Sequence, residues 1–133
     1  MWLRSLIFCV ITVLALIGCK EPKLPSPFAA SDMSRQYALA DFHLRDPAGK
    51  PRSLADYRGK VVVLFFGYTH CPDVCPTTLA DLAQVMTLLG KQAEQVQVLF
   101  ATLDPERDTP QMLANYVPAF HPAFLGLSGS PAE

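Results

Sequence analysis

The chain has no surplus of positive charge. Eleven Lys and Arg stand against twelve Asp and Glu, for a net charge of −1. The clustered cations that nucleic acid or an acidic membrane surface requires are missing, so no nucleic-acid partner is expected. No internal repeat or low-complexity tract is visible, and 133 residues suit one domain of ordinary size. Long apolar runs are lacking too: the longest, Leu6–Ile17, is short for a membrane-spanning helix, which needs about 20 residues. Histidine is sparse, at three. Proline is plentiful, at 12, and marks turns and loop exits.

The first segment is expected to lie outside the fold. "MWLRSLIFCVITVLALIGCK" has one basic residue, Arg4, and then an apolar run of signal-peptide length. It ends in "LIGC", residues 16–19, which resembles the lipobox of bacterial lipoproteins, with small Gly18 before the cut and Cys19 as the lipidated new N-terminus. The plainer alternative is an uncleaved N-terminal anchor. Both readings place the domain outside the cytoplasm, facing the periplasm or extracytoplasmic space and tethered to membrane. With Arg4 removed, ten basic and twelve acidic residues remain, a net −2. Three prolines and small polar residues make 20–36, "KEPKLPSPFAASDMSRQ", an extended spacer. The expected organisation is therefore a leader over 1–18, a tether over 19–36 and a domain over 37–133.

Within the domain, 37–54 predicts a β-hairpin, with Phe42 and Leu44 alternating with polar neighbours and "DPAGK" as its turn. Residues 53–60 predict a short turn segment. "VVVLFF" (61–66) is a continuous apolar run that predicts a central strand buried on both faces. A helix is expected from Pro76 to Leu89, with Leu79, Leu82, Ala83, Val85, Met86 and Leu89 at near-helical spacing and Gly90 at its end. A second buried strand (96–103), a loop (104–110) and a helix over 110–120 capped by Thr109 follow. A short strand (123–127) and a helix start at Ser130 complete the order. Alternating strands and helices argue for an α/β sheet.

"GYTHCPDVCP" (67–76) carries the chemistry. Cys71 follows a strand and Cys75 opens a helix, the place where α/β sheets often bind ligands. Helix N-termini depress thiol pKa values, which improves thiolates as nucleophiles and as metal ligands. Three readings remain open on the residues alone. A structural disulfide would close so short a loop that it stabilises weakly. A redox couple fits the helix start, although its usual spacing has two intervening residues. A soft-metal site fits because two thiolates select Cu(I). Zinc would want four ligands, and only His70 and His43 are nearby to complete them.

Together, "GKVVVLFFGYTHCPDVCPTTLADL", "LFATLDPERDTPQML" and "FLGLSGSP" resemble the Sco/SenC family, from about Asp41 to Glu133. The resemblance implies a thioredoxin-like α/β fold, a central mixed sheet flanked by helices. It implies a membrane-tethered copper metallochaperone for the dinuclear copper site of cytochrome c oxidase, with an oxidase subunit as partner and other periplasmic copper carriers as further partners. The alternative it leaves is a thiol–disulfide oxidoreductase that reduces the oxidase copper-site cysteines. Cys71 and Cys75 are then the copper-ligating, redox-active pair. Asp73 between them, and Asp104, Arg107 and Asp108 in the loop after the second strand, are expected to support the site; for the last three, loop and helix capping is the plainer role.

The family's third copper ligand is a histidine on a hairpin well downstream of "GLSGSP", and none of His43, His70 and His121 matches it. The chain is therefore expected to lack the C-terminal hairpin and last helix, and to be a fragment of a longer protein, unstable alone, or a truncated non-functional product. Its two thiolates are expected to favour Cu(I) over Cu(II), which prefers nitrogen and oxygen donors in a tetragonal site.

Overall fold

In the computed structural model, Ala30, Ser31, Met33 and residues 41–129 are described. The leader, Cys9, Cys19, most of the tether and the helix start at 130–133 lie outside the described residues. Two compact units divide the chain, Met1–Ala38 and Leu39–Glu133, and every described element belongs to the second.

That unit opens with a small antiparallel hairpin, β1 (Leu44–Arg45) and β2 (Pro51–Arg52). Its turn is organised by one buried carboxylate. Asp46 accepts from the backbone N–H groups of Ala48 and Lys50 and from both Nε and Nη2 of Arg52. Gly49 (φ 80°) supplies the left-handed residue the turn needs. A 3₁₀ helix, Leu54–Tyr57, follows where a turn segment is expected.

The main sheet has three strands: β3 (Val61–Gly67), β4 (Val96–Thr102) and β5 (Leu125–Leu127). Their order is β3-β4-β5 and both pairings are parallel. The connections are helices, α1 (Val74–Leu89) between β3 and β4, and α2 (Pro110–Phe120) between β4 and β5. One face of the sheet carries Val63, Phe65, Val98 and Phe100 against Leu79 and Met86 of α1 and Leu113 and Val117 of α2. On the other face Val62, Leu64, Leu99 and Leu127 pack with Phe42, Leu44 and Tyr57.

Two expectations need correction. Among the described residues, the strand with neighbours on both sides is β4, not β3. Four consecutive β4 residues, Val98–Ala101, are buried, whereas β3 is mostly half-buried and exposes Val61 and Phe66. An apolar run reports that both faces meet cover; it does not report how many strands lie alongside. The three described strands are parallel to one another. On α1, Val85 points to solvent although it fits the helical spacing, because the buried stripe passes through Leu79, Leu82, Ala83 and Met86.

Candidate thiol and metal site

The cysteine loop begins where β3 ends. α1 starts at Val74, two residues before the helix expected from Pro76, and the reason is local. The Thr77 N–H donates to the Asp73 carbonyl, the first helical bond, at 3.2 Å. Pro76, in the first turn, has no N–H to leave unpaired. The Cys75 N–H, otherwise an orphan of the helix start, donates to Cys71 Sγ at 3.3 Å. The sulfur of Cys71 thus takes the place of a capping oxygen. Asp73 occupies the N-cap position but its side chain makes no capping hydrogen bond. The Asp73 backbone directs its N–H at Cys71, and its carbonyl accepts from both Thr77 N and Thr77 Oγ1.

Both cysteines are unbridged thiols, Cys71 half-buried and Cys75 buried. Their environments push them apart. Hydrogen bonding with the Cys75 thiol, then from the Cys75 and Asp73 N–H groups and the Tyr68 hydroxyl, holds the Cys71 pKa below the ordinary thiol range. Burial pushes Cys75 up, and its hydrogen bond with Cys71 adds to this. The negative charge of Cys71 in turn raises the Tyr68 phenol.

Gly67 makes the space for Cys75. A Cβ on residue 67 would lie 3.0 Å from Cys75 Sγ and 2.8 Å from Phe100 Cε2. Only a residue without a side chain lets the end of β3 pass between the sulfur and the buried ring.

The loop after β4 contributes two different things. Asp104 and Arg107 form an exposed ion pair three residues apart, of the kind worth little to stability. Asp108 is fully buried. Its Oδ2 accepts from Thr69 N at 3.0 Å and Thr102 Oγ1 at 2.6 Å, and its Oδ1 accepts from Thr69 Oγ1 at 2.6 Å. Burial alone would raise this carboxyl; the bonds from Thr102 and Thr69 outweigh it and hold the pKa below the ordinary 3.8. The capping role expected for this loop falls to Thr109, which accepts from Met112 N. Residue pattern alone does not single out Thr69, Thr102 or Gly67. The signal for Thr69 and Gly67 is their place in "GYTHC"; nothing in the sequence marks Thr102.

The histidines separate in role. His70 is half exposed, with Nδ1 3.2 Å from Thr69 Oγ1 and 3.7 Å from Asp108 Oδ1. His121 accepts from Ala123 N and packs on Phe124, a loop-forming role. His43 is exposed. Among the described residues no three His, Cys, Asp or Glu side chains cluster as a metal site, and no helix is long and apolar enough to cross a membrane.

A thiol pair between the end of a parallel strand and the following helix is a thioredoxin-like arrangement, and the SCO1/SenC family model matches residues 30–133. The chain belongs to the SCO1/SenC family. It is 50% identical over 103 residues to the human mitochondrial SCO2 homolog, a match covering 74% of this chain and 39% of that protein. Bradyrhizobium japonicum ScoI with copper bound superposes with a TM-score of 0.66 at 48% identity, covering 71% of this chain and 60% of that one. A SCO1/SenC family lipoprotein from Bacillus anthracis superposes with a TM-score of 0.60 at 30% identity, covering 68% of this chain and 56% of that one. The chain thus spans about two fifths of its human relative's length.

Proposed function

We propose that this SCO1/SenC chain carries copper, as cargo, to the dinuclear copper site of a cytochrome c oxidase subunit, with Cys71 and Cys75 as its ligands. The observation that carries the reading is the meeting of two unbridged thiols at the start of α1, the Cys75 N–H directed at Cys71 Sγ. The donor set fits Cu(I), which soft thiolates select. It does not by itself fit Cu(II), since no imidazole or carboxylate of the described residues joins the two sulfurs in a cluster. Copper leaves by ligand exchange, the recipient's thiolates displacing Cys71 and Cys75 one at a time. That copper-bound structures exist for a relative 48% identical supports the cargo. Anaerobic titration of the reduced chain with Cu(I) against a chromogenic chelator tests it. One Cu(I) per chain is expected, lost in both Cys71→Ser and Cys75→Ser, with far weaker retention of Cu(II). Retention of Cu(I) by both variants would overturn the assignment.

A second reading has its own observation, the opposed shifts of the two thiols. In a thiol–disulfide reductase, the Cys71 thiolate attacks one sulfur of a partner disulfide and releases the other as a thiolate. The Cys75 thiolate then attacks Cys71 Sγ in the mixed disulfide and releases the second partner thiolate. The partner gains two electrons and the chain leaves as the Cys71–Cys75 disulfide. A reduction potential low enough to reduce oxidase copper-site cysteines, together with loss of copper on dialysis against a competing chelator, would favour this reading.

The placement proposed is a membrane-anchored lipoprotein facing the periplasm or extracytoplasmic space, with Cys19 lipidated after removal of 1–18. It draws on "LIGC" and on the Bacillus anthracis relative described as a lipoprotein. Radiolabelled palmitate should enter the natural chain and not Cys19→Ser.

A further inference from the structure

Asp108 lies 37 residues after Cys71 in the chain, yet it is the residue to which the cysteine loop is tied. The network has a definite direction. Thr102, the last residue of β4, gives its hydroxyl proton to Asp108 Oδ2 and accepts from Asp104 N at 3.0 Å. Thr69, two residues before Cys71, gives both its backbone N–H and its hydroxyl proton to Asp108. Thr69 Oγ1 has one proton and spends it there, so its 3.2 Å contact with His70 requires His70 Nδ1 to be the donor. The carboxylate therefore links three features: the end of β4, the backbone at Thr69 and, through Thr69 Oγ1, the ring of His70. Asp108 is fully buried from bulk solvent. Bonds to a buried charged acceptor are stronger than neutral ones and leave its partners little freedom.

The other bonds of the loop run within it or to the start of α1: the Tyr68 N–H is directed at Cys75 and the Cys75 N–H at Cys71 Sγ. The Cys71 N–H bonds within the loop, to the Tyr68 carbonyl at 3.2 Å. The ladder between β3 and β4 ends at the Gly67–Thr102 pair, after which Leu103 N donates to Gly67 O at 2.7 Å. From Tyr68 onward the loop leaves the sheet, and Asp108 is what returns it to β4.

We propose that Asp108 is a positioning residue: by holding Thr69 to Thr102 it sets the placement of Cys71 Sγ over the Cys75 N–H, and so the reactivity of Cys71. This rests on the reading of Cys71 as a reacting thiol, but not on which reaction it serves. It predicts that the clasp governs Cys71 chemistry in protein that is still folded. Residues elsewhere in the clasp should reproduce the effect of losing the charge.

The test is the rate of iodoacetamide alkylation of reduced Cys71 at pH 7, read peptide by peptide by mass spectrometry in the full chain in detergent micelles. Far-ultraviolet circular dichroism reports folding in parallel. Asp108→Asn and Thr69→Val are each expected to change the Cys71 rate at least fivefold. Thr69→Ser, which keeps the hydroxyl and the N–H, should restore the natural rate. Thr102→Val, which removes a clasp bond without touching the loop, should change it in the same direction as Asp108→Asn. If the variants only melt earlier while folded Cys71 reacts at the natural rate, Asp108 is a stabilising core residue and the proposal is overturned. Unequal effects of Thr69→Val and Thr69→Ser on a folded chain support it even where Asp108→Asn does not fold. If the natural chain neither binds Cu(I) nor forms the Cys71–Cys75 disulfide, the proposed function fails, and the alkylation rates still decide the role of Asp108.

Discussion

Replacing Gly67 by Ala is the sharpest single test of how the site is built. The new Cβ would stand 2.8 Å and 3.2 Å from two atoms of the Phe100 ring and 3.0 Å from Cys75 Sγ. Phe100 cannot move aside easily. It is fully buried, packed between Phe65 and Tyr116 at ring-centroid distances of 5.7 and 6.1 Å. The backbone at residue 67 is also fixed, paired with Thr102 in the ladder. Overpacking of a fitted core costs about 1–3 kcal/mol, and a clash with a caged ring belongs in the upper half, at about 2 kcal/mol. For a domain of this size that lowers Tm by roughly 10 °C. The relief available is to push Cys75 away, which separates the pair. Cu(I) affinity should then fall by about tenfold, since about 1.4 kcal/mol of misplacement is a factor of ten. Thermal unfolding by circular dichroism and chelator competition read the two effects. An alanine variant whose Tm lies within about 2 °C of the natural chain, with unchanged Cu(I) affinity, would refute the tight passage at Gly67.

Thr109→Ala removes the acceptor for Met112 N at the start of α2 and should cost about 1 kcal/mol in denaturant unfolding, with little change in m. Asp108 and Asp46 both have pKa values below the ordinary 3.8 because hydrogen bonds outweigh burial. Their stabilisation is therefore fully present above that ordinary value and lost as pH falls through the lower folded values, so urea midpoints should drop on acidification below about pH 4. Asp46→Asn should flatten part of that dependence and, by leaving Arg52 without its partner, cost about 2 kcal/mol at pH 7. Among the described residues β3 pairs on one side only and exposes Val61 and Phe66. Strand edges of that kind associate, so sedimentation velocity should show the chain self-associating and Val61→Lys reducing it. A single sharp, reversible melting transition without association would argue against an edge-driven weakness.

Much of the organisation was legible because it is local. Gly90 after Leu89, Thr109 before Pro110 and the Asp46–Gly49 turn each satisfy backbone demands within a few residues, and the helices and strands appear where these signals place them. The pairing of Cys71 with Cys75 across the start of a helix is likewise a matter of four residues. What spacing left open was direction of effect. Nothing in "CPDVC" says that Asp73 meets Cys71 with its backbone N–H rather than its side chain, or that one thiol is held down and the other pushed up. Those depend on the hydrogen bonds gathered at Cys71 and on the burial of Cys75.

By itself the sequence determined the order of elements, the position of the thiol pair between strand and helix, and membership of the SCO1/SenC family, because each is written in contiguous residues. Only the tertiary structure decided that β4 lies between β3 and β5, that Gly67 is the gap into which Cys75 fits, and that Asp108 grips Thr69 from 39 positions away. Strand neighbours and buried clasps are chosen by competition among distant surfaces for the same partners. That choice is made in the packed core, where a carboxylate must find donors or stay in water.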